Sequence, residues 1–240
     1  MSQGNRSNVV DLMRGFAVAL MIVFHFCYDL TYYRFASFDF YHDPFWLNFR
    51  TFIVSLFLLV VGISQSLAFY GKVPRNRIIK RLLILLALSL LISIATYFIF
   101  PGRTIVFGIL HFILVASIIA LPFSRHPLAS LIFGITAVFI GNTIANELFN
   151  QGWLHWIGFM QYKPATEDYV PLFPWLGVVL IGIWVGHTLL SSGNGQRILN
   201  ADLPVPGKQL LEVAGRHSLL IYILHQPILF GLLWAVRLLV

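Results

Sequence analysis

The chain has 240 residues, of which 58% are hydrophobic and 10% charged, and its mean hydropathy is +0.82. That balance excludes a soluble globular protein. The net charge of +7 comes from cations set mostly in short segments between apolar runs, which is membrane topology rather than a nucleic-acid surface, so no nucleic-acid partner is expected.

Seven apolar runs reach or approach the length that crosses about 30 Å of hydrocarbon at about 1.5 Å per residue. They lie near Val9–Asp29, Leu47–Tyr70, Ile78–Phe100, Thr104–Leu121, Leu128–Leu148, Pro171–Leu190 and Ser218–Val240. Helix breakers separate them: Gly71 and Pro74, Pro101-Gly102, Pro122 and Pro127, Gly193 and Gly195, Pro204 and Pro206-Gly207. The expected fold is all-α, a polytopic transmembrane helix bundle of about seven spans forming one domain over residues 1–240. No internal repeat, low-complexity tract or soluble domain is evident. No cleavable signal peptide is expected, because the first run begins with Asp11 and Arg14 and lacks a small-residue cleavage site.

On the first run, Asp11, Arg14, His25 and Asp29 fall within an arc of about 60° at about 100° per residue. Ionisable groups are costly at membrane depth, so this stripe must face protein or a wet cavity and marks a functional site. His25 and Asp29, four apart, stand one above the other on a helix. A carboxylate beside an imidazole sets its tautomer and raises its basicity, which suits a general base or an acyl-accepting nucleophile; a hydrogen-bonded packing pair is the bland alternative. Arg14 lies inside the helix, where it must pair with Asp11 or meet a buried anion such as a phosphate.

The following loop, Phe40 to Trp46, sets His42 and Asp43 among aromatic residues, either an interfacial belt or the rim of an active site. After the second run come Lys72, Arg75, Arg77, Lys80 and Arg81; topology and anionic lipid explain them, and docking of a phosphorylated co-substrate is compatible. His111 lies in the fourth run. Asp168 and Tyr169 precede Pro171 to Gly177, which includes Trp175, and suit a helix start; the same residues could line an outer substrate site. His225 precedes Gln226-Pro227 in the seventh run. Counted along their helices, His225, His111 and His25 sit about 12, 19 and 24 Å above the cytoplasmic boundary. That staggering argues against a bis-His haem, and the single Cys27 excludes an intrachain disulfide, so neither haem nor metal is expected.

With a cytoplasmic N-terminus, Arg6, Arg14, Lys72, Arg75, Arg77, Lys80, Arg81, Arg125, Arg197, Lys208 and Arg216 fall inside. Arg34, Arg50, Arg103, Lys163 and Arg237 fall outside, eleven against five. This positive-inside bias orients the chain, and an odd number of crossings puts the C-terminus outside.

Asp11-Leu12-Met13-Arg14-Gly15 leading to His25, Gly62-Ile63-Ser64, Gly108-Ile109-Leu110-His111, Asp168-Tyr169 through Pro174-Trp175-Leu176-Gly177, and Tyr222-Ile223-Leu224-His225-Gln226-Pro227 form an ordered set. Together they resemble the bacterial relatives of heparan-alpha-glucosaminide N-acetyltransferase, within the wider transmembrane acyltransferases. The resemblance implies acetyl-CoA or another acyl-CoA used from the cytoplasm, and an acyl group delivered to a glycan or glycolipid across the inner membrane. It implies His25 or His42 as catalyst, assisted by Asp29 or Asp43. It implies CoA contacts from Asp11, Arg14, Arg75, Arg77, Lys80 and Arg81, and acceptor contacts from Asp43, His111, Asp168, Tyr169, Trp175 and His225. Self-association is left open. The competing reading is a non-enzymatic membrane protein, a small transporter or envelope-assembly helper, although a transporter predicts an internal repeat that is not evident.

Overall fold

The computed structural model describes residues 7–239; Arg6, counted above among the inner cations, and Val240, the end of the seventh run, lie outside them. Of the described residues 74% are helical, and none is in a strand. In order, the helices are α1 (Asn8–Tyr32), α2 (Pro44–Tyr70), α3 (Arg75–Ile99), α4 (Ile109–Ile119), α5 (Pro127–Thr143), α6 (Leu172–Ser191), α7 (Gly193–Leu199), α8 (Lys208–Arg216) and α9 (Ser218–Arg237). Of these α1, α2, α3, α6 and α9 are long and apolar enough to cross a membrane. α3 shows Leu83, Leu90, Leu91, Ile94 and Phe98 on its exposed surface, as a lipid-facing helix does.

The fourth expected span is only partly helical. α4 has 11 residues and rises about 16 Å, roughly half of the hydrocarbon thickness. Residues 104–108 form no helix because their backbone groups bond elsewhere. Ser93 Oγ donates to the Ile105 carbonyl at 2.7 Å, and the Ile105 N–H donates to Thr96 Oγ1 at 3.1 Å. Thr166 Oγ1 donates to the Thr104 carbonyl at 3.0 Å. Irregular backbone survives at membrane depth only when protein satisfies it in this way. The Asp168 carboxylate then accepts the Ile109 N–H at 2.8 Å and starts α4 there. α5, with 17 residues, also falls short of its expected length.

The chain groups into two compact units. One holds residues 7–60 and 192–239, that is α1, the first part of α2, and α7 to α9. In it α8 crosses α1 antiparallel, with Gly15 opposite Leu211 and Gly215 opposite Asp11; a Cβ on either glycine would collide with a backbone carbonyl of the other helix. α9 runs parallel to α1, since Gln226 meets Asp29 and the Tyr33 hydroxyl donates to the Phe230 carbonyl. Phe24, Phe40 and Ile53 form an apolar core with Trp46 and Phe49. The other unit, Val61–Ser191, holds the second part of α2 with α3 to α6. Within it α6 approaches two helices closely: a Cβ on Gly62 of α2 would strike the Val179 carbonyl, and one on Gly177 would strike the Gly134 carbonyl of α5.

Candidate functional site

The parallel course of α1 and α9 brings two histidines together. The His25 and His225 rings meet edge to face with 4.9 Å between centroids. This overturns the staggered depths drawn from counting each helix from the boundary. The constant register of Gln226 on Asp29 and Phe230 on Tyr33 sets the first turn of α9 level with the middle of α1, because α8 first crosses α1 lower down. One turn beyond His25, Asp29 is fully buried and its Oδ1 accepts from Gln226 Nε2 at 2.7 Å. Asp29 therefore grips α9, while His25 turns its ring to His225. His225 is itself buried, and its Nδ1 lies 2.7 Å from the Tyr222 carbonyl oxygen. The sequence paired His25 with Asp29 but set His225 apart, among the acceptor contacts; it missed Gln226, whose place in the Tyr222 to Pro227 motif was the available signal.

Asp11 and Arg14, at the other end of α1, sit in an ion network that the sequence did not anticipate. Arg14 pairs with the buried Asp11 at 2.9 Å and reaches the Gly215 carbonyl at 3.4 Å. Arg216 lies 3.8 Å from Asp11 and 3.5 Å from Glu212, and Lys208 lies 3.6 Å from Glu212 and pairs also with Asp202. Three cations thus face three acids, and the cluster fastens α8 to α1. Ser7 adds to it, capping α1 and donating to the Leu199 carbonyl at 2.6 Å.

In the loop after α1, His42 is exposed over 85% of its side chain and contacts Asp39, at 3.1 Å, rather than Asp43. Asp39 also accepts the Tyr41 and His42 N–H groups; the Tyr41 bond leads in holding its carboxyl below the usual carboxylate range. Asp43 accepts the Phe45 N–H at 2.8 Å in the first turn of α2. Aromatic residues do gather here: Tyr28, Tyr32, Phe38, Phe40 and Tyr41, with Thr31, line a small cleft.

The remaining candidates lie in the unit Val61–Ser191. His111 Nδ1 accepts the Gly108 N–H at 3.3 Å, so its Nε2 carries the hydrogen and donates to Ser93 Oγ at 3.1 Å. Ser93 passes the chain on to Ile105, and both nitrogens of His111 are engaged in holding residues 105–108. Asp168 caps α4, and the Tyr169 hydroxyl donates to the His155 carbonyl at 2.8 Å, its burial raising the phenol well above its ordinary range. Trp175 is half-buried early in α6, whereas Arg75, Arg77, Lys80 and Arg81 are exposed on the first two turns of α3. Their charges oppose the helix dipole, so an anion there is favoured.

Among the described residues, no group of three or more His, Cys, Asp or Glu is placed to hold a metal ion. Residues 6–227 match the family model described as heparan-alpha-glucosaminide N-acetyltransferase, catalytic. No curated protein and no solved structure matches the chain.

Proposed function

The chain belongs to the heparan-alpha-glucosaminide N-acetyltransferase catalytic family, and from that premise we propose that it moves an acetyl or other acyl group from cytoplasmic acyl-CoA to a glycan or glycolipid acceptor beyond the inner membrane. Membership supports membrane acetyltransferase activity as such; the donor, the acceptor and the membrane concerned are our reading. The observation that carries it is the group of buried His225 and Asp29 with half-buried His25 and Gln226 on facing helices. Intramembrane ionisable clusters are retained for function, and an imidazole is the group acyl transfer requires.

A histidine of this group acts as base on the acceptor or carries the acyl group briefly. The loop His42 is the weaker catalyst, because it is exposed and engaged by Asp39. Phosphates of CoA are met by cations. Arg75, Arg77, Lys80 and Arg81 are exposed at the start of α3, whereas Arg14 is held by Asp11 and the Gly215 carbonyl.

The test is acyl transfer by purified protein in detergent, supplied with acetyl-CoA and glucosamine and read as free thiol and N-acetylglucosamine. Replacing both His25 and His225 by Ala should abolish turnover while the protein remains folded. Absence of both turnover and acetyl-CoA binding in the unmutated protein overturns the reading and favours a non-enzymatic membrane role.

A further inference from the structure

His225 and its neighbour Gln226 present two hydrogen-bond acceptors that none of the described residues satisfies. The partner of His225 Nδ1 is a backbone carbonyl, which only accepts, so Nδ1 carries the ring hydrogen and Nε2 holds the lone pair. Nε2 is buried and makes no hydrogen bond. The Gln226 amide is oriented by the same logic, because its nitrogen donates to Asp29 Oδ1 and its carbonyl oxygen is turned elsewhere. That oxygen, Oε1, is likewise buried without a hydrogen bond. Both side chains lie on the face of α9 turned to α1. Buried acceptors left unmade are destabilising, and functional sites are where such groups persist. An unsatisfied acceptor on each of two successive residues asks for a ligand that brings N–H or O–H groups, as an amine or alcohol does. His25, by contrast, offers its ring to His225 edge to face, and no carbonyl or carboxylate among the described residues sets its tautomer.

We propose that His225 is the general base of the acyl transfer, receiving the proton of the acceptor's reacting hydroxyl or amine at Nε2, with Gln226 Oε1 holding the acceptor and His25 positioning the His225 ring. The assignment rests on the acyl-transfer reading above. As the acceptor oxygen or nitrogen bonds to the thioester carbonyl carbon, its proton passes to His225 Nε2. The tetrahedral adduct collapses with cleavage of the C–S bond, and the proton on Nε2 goes to the departing thiolate. Acyl-CoA and an alcohol or amine become an ester or amide and free CoA thiol, and His225 returns to its starting form.

The experiment compares His225→Gln, Gln226→Leu and His25→Phe with the unmutated protein, each first shown to keep its thermal midpoint within a few degrees. Turnover of acetyl-CoA is measured against pH with two acceptors, glucosamine and hydroxylamine. Hydroxylamine is strongly nucleophilic without a base. His225→Gln should lose about 10²-fold or more with glucosamine and recover most of that with hydroxylamine, and the ascending limb of the pH profile should flatten. Gln226→Leu should raise KM for glucosamine more than it lowers kcat. His25→Phe, which keeps an aromatic ring against His225, should retain at least about a tenth of the rate. Full glucosamine turnover by His225→Gln, or an equal loss with both acceptors, overturns the assignment while leaving the acyl-transfer reading intact. No acetyl-CoA turnover by the unmutated protein with either acceptor removes the reading and the assignment together. If His225→Gln does not fold, His225→Asn takes its place, and the ratio of its rates with the two acceptors decides the matter.

Discussion

Gly15 and Gly215 meet backbone to backbone, the first on a helix that enters the membrane and the second in the last turn of a nine-residue helix laid antiparallel against it. Neither position has room for one further carbon. The approach allows Arg14 to reach the Gly215 carbonyl and Arg216 to come near Asp11. A small-residue crossing and an ion network therefore secure the same contact.

Gly15→Ala or Gly215→Ala should separate α1 from α8 and cost about 1–3 kcal/mol, the usual penalty of overpacking. Thermal unfolding in detergent reads this directly. Gly231→Ala is the matched control, since nothing lies within 4 Å of its added carbon. Gly231→Ala should be neutral or slightly stabilising, because Ala favours a helix over Gly, and a control as damaging as Gly15→Ala would remove the crossing from the account.

Arg14→Gln should lower stability by about 1–3 kcal/mol, because buried Asp11 loses its nearest cation. In calorimetric titration with acetyl-CoA, paired neutral substitutions at Arg77 and Arg81 should weaken binding more than Arg14→Gln does. The sequence alone favoured Arg14 as the stronger phosphate contact, and the reverse order of affinities would restore that view.

Asp168→Ala should destabilise α4 by about 0.5–2 kcal/mol, the worth of a helix cap. His111→Ala should add its own loss, since Gly108 and Ser93 both lose a partner. Hydrogen exchange at the Gly108 and Ile109 amides is the measurement. If exchange stays slow in both variants, these side chains are free to meet a ligand instead.

The loop at Asp39 should respond to acid. Its carboxyl is depressed chiefly by the Tyr41 N–H, so its stabilising effect is complete above the unfolded value of about 3.9 and fades as pH falls through the lower folded value. Protection of the Tyr41 and His42 amides, corrected for intrinsic exchange, should therefore persist down to about pH 4 and vanish below it. Asp39→Ala should show no protection at any pH, and equal protection in that variant would remove the carboxylate from the account.

Reporter fusions before α1 and after α9 should give opposite signals, with the N-terminal one cytoplasmic. The eleven-to-five distribution of Lys and Arg motivates the orientation, and the parallel course of α1 and α9 requires the opposition. Matching signals at both ends would contradict both.

The long apolar runs were readable because hydropathy and breakers are local properties, and α1, α2, α3, α6 and α9 fall where the sequence puts them. α4 was overestimated because its start is set by Asp168, a cap 59 residues away that no window along the chain can see. α8 was passed over as part of a breaker-rich linker, although Gly207 before it and Glu212 and Arg216 four apart were visible marks of a short helix. The stripe of Asp11, Arg14, His25 and Asp29 was legible from helical period alone. Its partners were not, because the register of α9 on α1 depends on α8 folding back first.

Side-by-side helices in most bundles alternate in direction, so their peptide dipoles cancel; α1 and α9 point the same way, and theirs add. Two partial negative poles of about half a charge each gather at the end marked by Tyr33. α1 carries no cation in its last turn to offset its pole, but α9 carries Arg237, whose guanidinium lies 5.9 Å from the Tyr33 ring centroid. Arg237 thus lies where the fields of both helices act, and replacing it would leave that end of the pair more attractive to cations.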